Sequence, residues 1–97
     1  HLLVVPREHA ADLLVIADED LEACVRAARI LAGRLTDRLD ADGVNLLNSC
    51  GSVAWQTVFH FHMHVIPRYG GDPLPLPWHP AAGDREEIAE AERALTA

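Results

Sequence analysis

The sequence predicts an α+β fold, an antiparallel sheet covered on one face by a single long helix. Three observations carry this. Phe59–Val65 alternates histidine with apolar residues, Leu21 to Leu39 places apolar residues at helical spacing, and the chain opens on a short apolar, valine-containing run. Ninety-seven residues, 49% apolar and 24% charged, make one globular domain rather than two domains or a disordered tail.

In chain order, His1–Pro6 (HLLVVP) reads as a mostly buried strand stopped by proline. Arg7–Asp18 is a connection with a short helical turn at Ala10–Leu14. The helix is expected over Glu19–Leu39, because Leu21, Cys24, Val25, Ala28, Leu31, Ala32, Leu35 and Leu39 share one face. Asp18 is the expected N-cap, Glu19, Asp20 and Glu22 suit the positive end of the helix dipole, and Gly43 marks the stop. Val44–Asn48 is a second strand and Ser49–Trp55 a loop. Gln56–Pro67 is the best strand signal, with Val58–Pro67 taken as the sheet member. Its Phe59, Phe61, Met63 and Val65 are expected under the helix. The core thus spans residues 1–69, a proline- and glycine-rich loop 70–83 and a short acidic helix 84–97, all within one domain.

Charge and composition remove several functions. Fifteen acids against eight bases give −7, with no Lys/Arg cluster, so phosphate-driven binding of DNA or RNA is not expected. The longest apolar runs are about a quarter of the roughly 20 residues a membrane span needs, so no membrane partner is expected. Two cysteines make no disulfide framework; Cys24 falls on the helix's apolar face, Cys50 in the loop, and a cytoplasmic location is the expectation.

The chemistry gathers in one strand. His60, His62 and His64 sit at alternate positions, so period-two geometry stands three imidazoles on one face. An open strand face normally carries Thr, Lys or Glu. Three groups titrating near neutrality there point to proton transfer or nucleophilic attack. A metal site is one use of such a row. A flat strand, however, separates His60 and His64 by about 13 Å, too far for one ion with bonds of about 2 Å. Phosphoryl transfer is the other use: the middle ring attacks phosphorus while its neighbours set its tautomer and supply a proton. Gln56, Thr57 and Asn48 can hydrogen-bond phosphate oxygens, and the amides of the Asn48–Trp55 loop can cradle an anion without basic side chains.

His60–Ile66 (HFHMHVI) resembles the signature of the histidine triad (HIT) family, and Gln56–Val58 (QTV) and His1–Pro6 resemble its other blocks. The likeness runs from about Leu2 to Trp78 and is nearest to the bacterial branch related to purine nucleoside phosphoramidases. It implies a nucleotide hydrolase or transferase cleaving phosphoramidates or dinucleoside polyphosphates through a covalent nucleotidyl-histidine. His62 is then the nucleophile, His64 the phosphate contact and acid, and His60 and His1 the orienting rings. Gln56, Thr57 and Asn48 match phosphate- or nucleotide-binding positions. The resemblance also implies a purine nucleotide substrate, a homodimer and no required cofactor. Some bacterial relatives hold a structural zinc with two N-terminal cysteines and two histidines. His9 and His60 match the latter pair, so no metal is expected in this chain, and a full-length form could carry that zinc.

Two departures stand out. Trp55 replaces the family's usual glycine; its indole either crowds the phosphate loop or faces solvent while its N–H still donates. The family's N-terminal helix and hairpin have no counterpart before His1, which reads as an N-terminal truncation. The alternative reading is therefore a nucleotide-binding or interaction module with weak or no catalysis on the same fold. Trp78 is expected to pack locally rather than reach a partner's cleft, and His79 to lie on the surface.

Overall fold

The computed structural model describes residues 1–75 and 78–97. Leu2–Val4 (β1), Gly43–Leu47 (β2) and Met63–Arg68 (β3) form an antiparallel sheet in the order β1-β3-β2. Asp18–Leu39 (α1) lies across one face, and Arg85–Thr96 (α2) ends the ordered elements. The α+β class with its covering helix is the observed one. Of the proline- and glycine-rich loop expected over 70–83, residues 76 and 77 lie outside the described residues.

Register decides which side chains reach the helix. Leu3 and Leu47 both stand opposite His64, while Leu2 and Leu46 stand opposite Val65. Because side chains alternate faces, Leu3, His64 and Leu47 share the open face and Val65 points to α1. Under α1, Val65 and Phe61 are fully buried, joined by Val4, Ile16, Cys24, Ala28, Leu35 and Ala41. Burying side chains of this size stabilises the fold by about 1.5–3 kcal/mol each. The Cys24 thiol sits in this core with its pKa raised by burial and by nearby Asp20, so it stays protonated and inert.

Five local expectations are corrected. β3 begins at Met63, not Val58, because the backbone ahead of it bonds elsewhere: the Gln56 amide donates to Val58 O, Phe61 N–H donates to Ala10 O, and Asn48 donates to His62 O. Phe59 is consequently half exposed instead of lying under the helix. The N-cap of α1 is Ala17, which contributes no side-chain bond, and Asp18 is already in the first turn. Its stop is Asp40 in the left-handed region (φ 52°), three residues before Gly43, which starts β2. The turn expected at Ala10–Leu14 lies two residues later, where Asp12 accepts from Leu14 N–H through Oδ1 and from Val15 and Ile16 N–H through its carbonyl.

Asp84 caps α2 by accepting from the Glu86 and Glu87 amides. Among the described residues α2 touches none of the other helices or strands. No described helix is long and apolar enough to cross a membrane.

Candidate active site

The three triad histidines fall into two settings. His64 belongs to β3, whereas His60 and His62 lie in the bent approach to it. Phe61 turns into the core between them, and both flanking rings are half-buried.

His62 is held at two points. Its carbonyl accepts from Asn48 Nδ2 at 2.9 Å, and its ring Nδ1 lies 2.9 Å from the His60 carbonyl. A carbonyl only accepts, so Nδ1 carries the proton and Nε2 of the neutral ring is a bare lone pair. That tautomer is the one a nitrogen nucleophile needs. The other Asn48 atom, Oδ1, is buried and has no partner among the described residues.

His64 forms a relay with its neighbours. Its Nδ1 is 2.8 Å from His1 Nε2, and its ring centroid is 5.1 Å from that of His62 and 5.0 Å from that of His1. Its pKa is lowered, first by burial and second by His62. Two adjacent rings resist sharing positive charge.

His60 faces the other way. Its Nε2 is 3.0 Å from the Pro6 carbonyl and must donate there, which leaves Nδ1 unprotonated in the neutral ring, 3.4 Å from His9 Nδ1. Two nitrogens bonded to one tetrahedral zinc at 2.0–2.1 Å are about 3.4 Å apart, so the His9–His60 pair has the span of two zinc ligands. The carbonyl behind His60 is the kind of partner that orients such a ligand. Among the described residues no group of three or more His, Cys, Asp or Glu converges, so these residues alone do not complete a tetrahedral site.

The loop before the row is tied to itself. Gln56 is buried; its Nε2 donates to Ala11 O and Val58 O, and its Oε1 accepts from Gly51 N–H. Both ends of the amide are engaged inside the protein, so Gln56 braces the loop. In the loop, the Ala54 and Trp55 amides donate to the Gly51 and Ser52 carbonyls within a 3-10 turn over Ser52–Ala54, and the Gln56 amide behind it donates to Gly51 O. Trp55 takes φ 73°, a left-handed conformation that suits glycine, and its half-exposed indole stacks on Trp78 at 6.3 Å and 17°. Thr57, next to Gln56, remains exposed. The backbone carbonyls of His60 and Pro6, which set two ring tautomers, leave no mark in a one-letter sequence.

Comparison with known proteins accounts for this arrangement. The model of the HIT domain matches residues 1–71. Protein hit of Bacillus subtilis is 39% identical over 85 residues, covering 87% of this chain and 59% of that protein. A HIT family structure from Bacillus subtilis superposes with a TM-score of 0.82 at 32% identity, over 96% of this chain and 68% of that one. A zinc-bound histidine triad family protein from Mycobacterium smegmatis does so at 0.71 and 35%, over 95% and 70%. The chain spans between about half and three fifths of the length of the curated relatives it matches. With the histidine row, the sheet that carries it and these matches in agreement, the chain belongs to the HIT domain family.

Proposed function

We propose that the chain is a nucleotide hydrolase or transferase working through a nucleotidyl-His62 intermediate. The observation that carries this reading is the 2.9 Å contact between His62 Nδ1 and the His60 carbonyl, which leaves Nε2 unprotonated. The family includes nucleotide hydrolases and transferases. In the first step Nε2 forms a bond to the α-phosphorus as the bond to the leaving group breaks. His64, supported by His1, passes a proton to the departing atom. In the second step water attacks phosphorus, the P–Nε2 bond breaks, and His64 takes the water's proton. The nucleoside monophosphate leaves, or an alternative acceptor replaces water. Thr57 and the histidine N–H groups are the donors to the phosphate oxygens, while Gln56 and Asn48 hold the frame.

His9 and His60 would supply two ligands to a structural zinc in a longer form of the protein, the remaining two coming from outside these residues. The metal would hold the first connection against the histidine loop and takes no part in the chemistry.

The test is chemical trapping. Incubation with adenosine phosphoramidate or diadenosine polyphosphates and quenching in base should leave adenylate on His62, read by mass spectrometry. His62→Ala should lose the adduct and at least about a thousandfold in turnover. Nucleotide binding with no adduct and no turnover in the unaltered chain would establish a binding module instead.

A further inference from the structure

His60 takes part in two different contacts, one through its ring and one through its backbone. The ring faces away from the reactive side, with Nε2 donating to the Pro6 carbonyl at 3.0 Å and Nδ1 lying 3.4 Å from His9 Nδ1. The backbone carbonyl accepts from His62 Nδ1 at 2.9 Å. The acceptor that sets the tautomer of His62 therefore belongs to the residue whose ring is one member of the zinc-spaced pair.

That carbonyl shares a peptide unit with the Phe61 amide, and the Phe61 amide donates to Ala10 O at 2.7 Å. A peptide is planar, so its N–H and C=O turn together. Ala10 directly follows His9 in the chain. The first connection thus grips the histidine loop at two neighbouring points: Ala10 O on the peptide itself, and His9 on the ring of the same residue. The first grip is short and strong. The second is slack, because 3.4 Å is long for a hydrogen bond between two ring nitrogens, although it is the span of two ligands on one tetrahedral ion. No ladder partner steadies this peptide, since β3 and its pairings begin at Met63.

We propose that His9 is a positioning residue for His62, and that a divalent cation favouring imidazole, zinc above all, is its effector. Held by His9 and His60, the ion would take up the slack in the second grip, fix the His60–Phe61 peptide and keep His62 with Nδ1 protonated and Nε2 free. Its consequence for turnover rests on the histidine chemistry proposed above; the coupling itself is read without substrate.

The experiment adds zinc chloride alone to the full chain carrying nitrogen-15 histidine. Zinc should shift the ring nitrogens of His9 and His60, bring His62 to the Nδ1–H tautomer, and slow exchange of the Phe61 amide about tenfold while β3 stays within about twofold. His9→Ala, at an exposed position, should abolish these responses, and His9→Cys, which supplies another zinc ligand, should restore them. A purely structural His9 would not be rescued in a zinc-dependent way. No zinc response at His9 and His60, a response there that leaves His62 and the Phe61 amide unchanged, or the same His62 response in His9→Ala would each overturn the coupling. With adenosine phosphoramidate, zinc should raise kcat at unchanged KM in the unaltered chain and not in His9→Ala. Turnover with no zinc response at His62 would overturn the coupling and leave the histidine mechanism standing. A zinc response at His62 with neither adduct nor turnover would uphold the coupling and defeat the mechanism.

Discussion

Residues 57–62 and 63–68 are adjacent in sequence and carry the same alternation, yet they are held by different forces. Met63–Arg68 is a ladder strand, paired with β1 over Met63–Val65 and with β2 over His64–Arg68. The approach to it is fastened by single side-chain and loop contacts: Gln56 to Val58, Asn48 to His62, Phe61 N–H to Ala10. A ladder puts every second side chain on one line, as it does for Leu3, His64 and Leu47. Point fastenings aim each ring separately, which is how His62 turns its Nδ1 to a carbonyl while His60, two residues earlier, turns toward His9. The nucleophile of the proposed reaction stands on the individually aimed segment, and its proton donor stands on the rigid one.

This contrast can be broken most severely at Phe61, the one side chain of the approach that is fully buried. Phe61→Ala should cost about 3–5 kcal/mol, read as a lower urea midpoint, because the core loses a ring that no neighbour can replace. A smaller and more local effect is expected at Gln56. Gln56→Ala strands Ala11 O, Val58 O and Gly51 N–H and should cost about 2–4 kcal/mol, with faster amide exchange at residues 51–62 and little change in β3. Equal acceleration in both segments would show that they open as one unit.

The mildest probe is pH. The folded pKa of His64 lies below 6.5, so the unfolded chain takes up that proton first. This contribution to stability is complete above pH 6.5 and declines as pH falls toward the lower folded value. His64→Asn should flatten that part of the stability profile in urea titrations at pH 5 and 7.5. An unchanged profile would assign the acid sensitivity to other groups.

Much of this was legible in the residues. The apolar spacing from Leu21 to Leu35 predicted α1, because one stripe at period 3.6 is a local property of the helix. The alternation from Phe59 to Val65 identified the histidine row. The same alternation misplaced the start of β3. Strand pairing is settled by what the backbone bonds to, and here the competitors, Gln56, Asn48 and Ala10, are separated by up to some fifty residues in sequence. Phe59 illustrates the error: its parity matches Phe61, but outside the ladder parity no longer dictates direction. Gln56 and Asn48 were visible as polar residues beside the row. That they serve as struts follows from burial, which the sequence does not display. The Trp55–Trp78 pair had half a signal, a bulky residue at a position the resemblance gives to glycine.

The isolation of α2 has a thermodynamic consequence. A twelve-residue helix without tertiary packing is marginal in water even with its Asp84 cap, so its helicity should bleed away gradually on warming. A far-ultraviolet melt of this chain would therefore show a sloping baseline before the cooperative step, and the calorimetric enthalpy of that step would belong to the sheet and α1 alone.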